Sequence, residues 1–150
     1  MTETTHVGTA DGLAFRDGQD HGRILVSGQE TGGRYSLLEW TVAPTADPVS
    51  YGPHRHREIE ETFLIRSGRL EFLLNDQITS MGAGDFVRVP PGTRHGYANT
   101  SGQPVEMLVS FYPGGFEQLF VKYRTDAATP LDGIGFITDA IADFASEFEI

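Results

Sequence analysis

Short apolar runs, spaced about ten residues apart through the middle of the chain, predict β-strands. In the run from residue 61 to 66, successive side chains fall on opposite faces, so Glu61, Phe63 and Ile65 share one face. Glycine, proline, asparagine or serine separates the runs, and the regular cadence predicts an all-β sandwich or barrel. The predicted strands are Ile24–Val26, Tyr35–Val42, Glu61–Arg66, Arg69–Leu74, Asp85–Val89, Arg94–Ala98 and Val105–Tyr112.

The chain before these strands is polar and rich in glycine and aspartate over residues 1–20, which predicts a loosely attached arm. One short strand is expected in this arm, near Leu13–Arg16. Turn-forming residues from Gln29 to Gly33 separate the first two strands of the barrel and predict a hairpin. The proline-containing segment from Ala43 to Pro53 is expected to be irregular.

The C-terminal part changes to a helical period. After Gly114-Gly115, four apolar residues at helical spacing predict a short helix, and a second helix is predicted from about Thr138, a suitable N-cap. Both helices are expected to cover one side or end of the barrel. The two apolar stripes are Phe116, Leu119, Phe120 and Tyr123, and Ile141, Phe144, Ala145 and Phe148.

A length of 150 residues fits one domain with its own core. The 18 glycines and 8 prolines are spread along the sequence rather than gathered in a linker, which agrees with many short strands. The single domain is therefore divided into an arm (1–20), a barrel (21–112) and a C-terminal helical extension (113–150).

Charge and cysteine content exclude several classes of partner and site. The net charge is −10 and no basic run is present, which argues against nucleic acid and against anionic membranes as partners. Without cysteine there is no disulfide, thiolate ligand or thiol nucleophile. The polar N-terminus lacks the apolar core of a signal peptide, so a cytoplasmic location is expected.

Three histidines and one acid have the spacing of a metal site. His54 and His56 point to the same side of an extended chain, about 6.6 Å apart. Glu61 follows Glu60 at the head of an apolar strand, where a carboxylate is costly without a partner. His95 follows a turn that two prolines and a glycine restrict. His6 and His21 lack such neighbours and are expected to be ordinary surface or core histidines rather than ligands.

On these residues the chain resembles the cupin superfamily, and two motifs carry the resemblance over about residues 35–112. The first motif is His54-x-His56, four residues, Glu61, six residues and Gly68. The second is Gly84, five residues, Pro90-x-Gly92, two residues, His95, three residues and Asn99. Pro48 stands where the first motif begins with glycine. Residues 113–120 look like the segment that follows the barrel in bacterial single-domain cupins of the quercetinase-like type.

The resemblance implies a jelly-roll barrel that holds one divalent metal ion through His54, His56, Glu61 and His95. Family spacing also allows Glu60, but the distance to Gly68 and the strand alternation favour Glu61. Ligands without sulfur suit Fe, Mn, Co, Ni, Cu or Zn, and ligand type alone does not choose among them. Cupins commonly pair, so a homodimer is expected, with its interface in strands of the first fifty residues.

The leading functional hypothesis is a metal-dependent dioxygenase that acts with O₂ on a small flavonol-like aromatic or enolic substrate. In it, Glu61 doubles as the base for a substrate hydroxyl and Tyr97 orients the substrate. The alternatives are a non-redox cyclase, isomerase or lyase of the polyketide-cyclase kind, and a non-catalytic module that binds a small ligand. The predicted cavity walls are Phe63, Phe72, Phe86, Tyr97 and Trp40.

Overall fold

The computed structural model describes residues 3–17, 19–45, 53–122 and 148–149. This part of the chain contains eleven strands and one short helix. The strands are β1 (Leu13–Asp17), β2 (Asp20–Val26), β3 (Ser36–Val42), β4 (Arg55–His56), β5 (Glu60–Ser67), β6 (Arg69–Leu74), β7 (Gln77–Gly82), β8 (Phe86–Val89), β9 (His95–Ala98), β10 (Val105–Tyr112) and β11 (Phe148–Glu149). The helix is α1 (Gln118–Lys122).

Two antiparallel sheets form the barrel, and β4 and β11 form a separate antiparallel pair. The larger sheet has six strands in the order β1-β2-β3-β10-β5-β8, and the smaller has three in the order β7-β6-β9. Their inner faces meet in one core, where the ring centroids of Phe63 on β5 and Phe72 on β6 are 5.1 Å apart. This arrangement confirms the predicted all-β jelly roll. The expected short strand near Leu13 is present as β1, and Phe15 on it is buried in the core.

Strand alternation in β5 determines which side chains face the core. Glu61, Phe63 and Ile65 are buried, and each is paired across the sheet with an inward-facing residue of β10. The other face of β5 carries Glu60 and Leu64, which are more exposed. The register of β5 therefore brings one carboxylate, that of Glu61, to the inside of the barrel.

The hairpin from β6 to β7 turns on Asn75 and Asp76, which have φ angles of 47° and 66°. Two consecutive residues with positive φ form the tight turn typical of two-residue hairpins, and asparagine and aspartate tolerate it. Asparagine is among the residue types that separate the predicted strands, as it does here, whereas strand β7 was not predicted. The run from Gln77 to Ser80 is exposed and carries no apolar alternation.

The first predicted helix is present. It begins at Gln118, two residues after Phe116, the first residue of the predicted apolar stripe. Phe116, Leu119 and Phe120 are buried as expected. Most of the second predicted helix lies outside the described residues, and its assignment is wrong at Phe148, which belongs to β11 and pairs with His56 of β4. Because the paired residues are 92 positions apart, no local sequence pattern predicts this strand pairing. In the described part of the chain, no helix is long and apolar enough to cross a membrane.

Candidate metal centre

Backbone pairing brings His54 and His95 together. The N–H of each residue donates to the carbonyl of the other, at 2.9 Å and 2.8 Å, so two segments 41 positions apart lie side by side. His56 follows two residues later and is held by a bond from Gly92 N–H to its carbonyl, at 2.7 Å. The restricted turn at Gly92 (φ 82°) thus positions both histidine segments.

Glu61 completes the group from the opposite sheet. Its Oε2 lies 3.2 Å from His56 Nε2 and 2.8 Å from His95 Nε2. Each of the four side chains offers one potential metal-ligand atom, and these four atoms all lie within 4.8 Å of one another. The structure thus brings together the residues that the sequence singled out: His54, His56, Glu61 and His95.

The site is almost closed to solvent. His56, Glu61 and His95 are 2%, 6% and 1% exposed, whereas His54 is only half-buried. His54 is therefore the member of the cluster that solvent reaches most. His6 and His21, noted above as non-ligands, are exposed and take no part in it.

The structure distinguishes the two adjacent acids. Glu60 lies on the outer face of β5, where its carboxylate forms an ion pair of 2.7 Å with Arg88. Glu61 faces inward, toward the histidines. The preference for Glu61 over Glu60 agrees with this geometry.

Burial and the neighbouring histidines shift the pKa of Glu61 in opposite directions. Burial is the largest influence and raises the pKa of this carboxyl, but the hydrogen bonds and charges of His56 and His95 together outweigh it. The pKa of Glu61 therefore lies well below its ordinary value, and the side chain stays ionised. For His95, burial lowers the pKa, and the contacts with Glu61 and with Thr93 O raise it further than burial lowers it.

The donor set fits a divalent cation. His95 Nδ1 lies 2.9 Å from the carbonyl oxygen of Thr93, which can only accept, so Nδ1 carries the proton and Nε2 is left for a ligand. The lone pair of Nε2 then faces the carboxylate of Glu61, and this approach needs a proton or a cation between the two atoms. Atoms bound about 2.1 Å from one ion lie roughly 3–4 Å apart, so only a small adjustment would let these side chains share an ion.

Aromatic rings surround the cluster. Tyr97 shares the inner face of β9 with His95, and its ring lies 6.1 Å from Phe63 and 5.8 Å from Phe72. Unlike these two phenylalanines, Tyr97 retains some exposure. On the other side, the ring of Phe116 meets His56 nearly at right angles, with centroids 4.7 Å apart.

Two predicted cavity residues lie elsewhere. The prediction for Phe86 is wrong, because this side chain is 60% exposed on the outer face of β8, where it is paired with Leu64. The inward positions of β8 belong to Val87 and Val89. Trp40 is buried, but its ring packs against Phe15 and Phe120. Phe116 was predicted only to pack as part of a helix, and its contact with His56 was not predicted.

The Cupin domain family model matches residues 38–111, a range that contains both motifs and all four clustered side chains. Among curated proteins, the chain is 29% identical over 110 residues to quercetin 2,3-dioxygenase of Aspergillus japonicus, covering 70% of this chain and 31% of that protein. Quercetin 2,3-dioxygenase of Bacillus subtilis (strain 168) is 25% identical over 89 residues, covering 59% and 26%. The chain therefore spans less than a third of the length of either relative.

Solved structures with the same fold include a predicted oxalate decarboxylase from Thermotoga maritima, with a TM-score of 0.64 and 20% identity. The match covers 72% of this chain and 98% of that one. At this identity the likeness concerns the fold alone. The family match and the clustered motif residues lead to one conclusion: residues 38–111 of this chain form a cupin domain.

Proposed function

We propose that this protein is a metal-dependent cupin enzyme, and specifically a dioxygenase for a small aromatic or enolic substrate. The proposal rests on four potential metal-ligand atoms that lie within 4.8 Å of one another. They belong to His54, His56, Glu61 and His95. Burying a carboxylate together with two imidazoles, beside a third that is half-buried, is costly unless a cation compensates. A bound Fe, Mn, Co, Ni or Cu ion would supply Lewis acidity and open coordination positions for a substrate oxygen and dioxygen.

The residues of the chain have distinct roles in this proposal. Three imidazoles and the Glu61 carboxylate hold the ion. The ionised carboxylate of Glu61 also serves in this proposal as the acceptor for the proton of a substrate hydroxyl. Its low pKa makes it a weak base, so proton transfer depends on the substrate hydroxyl being acidified by the bound ion.

The aromatic side chains give the site its proposed substrate class. Phe63 and Tyr97 form a wall beside His95, and a planar, largely apolar molecule can pack against such a wall. The Tyr97 hydroxyl can orient a polar group of that molecule. The similarity to two quercetin 2,3-dioxygenases supports an enolic aromatic substrate, in particular a flavonol.

Metal content is the first test of this proposal. We expect about one equivalent of metal in gently purified protein by elemental analysis, and its loss in His54→Ala and Glu61→Ala. His21→Ala, which changes an exposed histidine outside the cluster, is the matched control and should keep the metal. Protein that takes up no metal under any loading condition would refute the proposed site.

Oxygen uptake tests the reaction class separately. Protein loaded with each candidate metal should consume O₂ with flavonols or related enols, and the uptake should be lost in the two ligand variants. Substrate conversion without oxygen uptake, also with zinc, would instead show a non-redox cyclase, isomerase or lyase. A ligand bound and recovered unchanged would identify a binding module.

A further inference from the structure

Glu117 is a fully buried acid outside the metal cluster. It is 0% exposed, and both its carboxylate oxygens accept hydrogen bonds from backbone amides. Oε1 accepts from Gly28 N–H at 2.6 Å, and Oε2 accepts from Gly115 N–H at 2.7 Å. Glu117 therefore ties the connection between β2 and β3 to the segment that follows β10, across 89 positions of sequence.

The two tied segments are in close contact. A Cβ atom on Gly28 would lie 2.5 Å from Gly115 N, and one on Gly114 would lie 2.5 Å from Tyr35 O. The N–H of Gly114 also donates to Gly33 O at 3.0 Å. With side chains excluded at both glycines and the amides held by Glu117, the backbone just before Phe116 is fixed.

Phe116 connects this fixed backbone to the histidine cluster, because its ring contacts His56. Its ring is 6% exposed and lies between two aromatic neighbours, with ring centroids 5.0 Å from Phe111 and 4.7 Å from His56. The planes of Phe116 and His56 are 79° apart. An imidazole packed against a ring in this way has little freedom to rotate about its side-chain torsions.

We infer that Glu117 and Phe116 are positioning residues that hold the His56 imidazole in the orientation needed for metal binding, an inference that rests on the proposed metal site. Glu117 acts through Phe116, and neither residue touches the ion or the substrate. Hydrogen-bonded groups that orient metal ligands typically change metal affinity by about 10- to 100-fold when they are removed, and for a ring that acts by packing we expect a change at the lower end of this range.

The test compares metal affinity with stability in matched variants. Phe116→Leu removes the ring beside His56, and Phe116→Met does so with a flexible side chain that fills irregular gaps, should the leucine variant not fold. Phe15→Leu is the control, since Phe15 is equally buried but packs against Trp40 and Phe120. Metal-free stability is measured by thermal unfolding. Affinity is measured by Co(II) titration, with the visible spectrum reporting on coordination geometry.

We expect the Phe116 and Phe15 variants to lose comparable stability. Only the Phe116 variants should bind Co(II) about tenfold more weakly and show an altered visible spectrum. An unchanged Co(II) dissociation constant and spectrum in Phe116→Leu or Phe116→Met would overturn the inference. Absence of Co(II) binding by the unaltered protein would instead refute the proposed metal site.

A double-mutant cycle tests whether Glu117 acts through Phe116. Glu117→Gln should weaken Co(II) binding when Phe116 is present and add little when Phe116→Leu is already there. Additive losses in the double variant would show that Glu117 does not act through Phe116. A stability loss in Glu117→Gln without a change in affinity would reduce Glu117 to a purely structural tie.

Discussion

His95 Nε2 lies 2.8 Å from Glu61 Oε2, so two residues 34 positions apart join the two sheets at the candidate metal centre. Because a metal ion held there binds the folded state, it should stabilise the fold. At a free metal concentration 100-fold above the dissociation constant, the gain is about 2.7 kcal/mol, or roughly 5–10 °C in Tm for a chain of this size. Thermal unfolding of chelator-treated protein with and without added metal measures this shift.

The matched variants make this prediction specific. Glu61→Ala should abolish the metal-induced rise in Tm, while His21→Ala should retain all of it. An equal rise in both variants would place the stabilising ion elsewhere on the protein.

A phenylalanine on the inner face of the sheets should contribute more to the free energy of unfolding than one on the outer face. Phe72 is 0% exposed and Phe86 is 60% exposed. We expect Phe72→Ala to lower the free energy of unfolding by about 3–5 kcal/mol, and Phe86→Thr to change it by about 0.5 kcal/mol or less. Urea unfolding followed by circular dichroism gives both values. A large loss for Phe86→Thr would mean that this side chain is covered in solution.

Sequence patterns predicted the parts of the fold that depend on local periodicity and on motif spacing. The alternation in β5 predicted that Glu61 faces inward, and the fixed intervals between His54, His56, Glu61 and His95 identified the cluster. The turn between β6 and β7 also depends on local sequence, since asparagine and aspartate tolerate the positive φ angles found at Asn75 and Asp76.

The missed features depend on contacts between distant segments. Strand β4 has only two residues and forms by pairing with β11. The contact between Phe116 and His56 forms only when the segment after β10 folds back. Phe86 was misplaced because an apolar residue at a strand end does not reveal which face it occupies; the pairing of Val87 with Phe63 does.

Tyr97 can be tested by removing its hydroxyl alone. Tyr97→Phe keeps the ring contacts with Phe63 and Phe72, so Tm should change little. If the hydroxyl orients the substrate, kcat/KM for oxygen uptake should fall about tenfold, the value of one hydrogen bond. The control is Tyr112→Phe, which removes a hydroxyl from an exposed ring on the outer face. Unchanged kcat/KM in Tyr97→Phe would remove Tyr97 from the proposed site.

Asp20 should make the stability of the fold depend on pH. Burial raises the pKa of its carboxyl from 3.8 to about 6, although the hydrogen bond from Ala43 N–H opposes the shift. Because the folded-state pKa is above the unfolded one, this group's contribution is fully present below about pH 4 and is lost as the pH rises through about 6. Two pKa units correspond to about 3 kcal/mol, an upper limit because water reaches part of the side chain.

The variant Asp20→Asn isolates this effect, because its amide oxygen can still accept the bond from Ala43 N–H while the charge is gone. Between pH 4 and pH 7 the unaltered protein should therefore lose up to about 3 kcal/mol of unfolding free energy relative to Asp20→Asn. Urea unfolding of metal-free protein across this pH range measures the difference. Asp76→Asn, at an exposed position, is the control and should follow the unaltered protein. Parallel pH profiles for the unaltered protein and Asp20→Asn would show that Asp20 ionises in the folded state as it does in the unfolded chain.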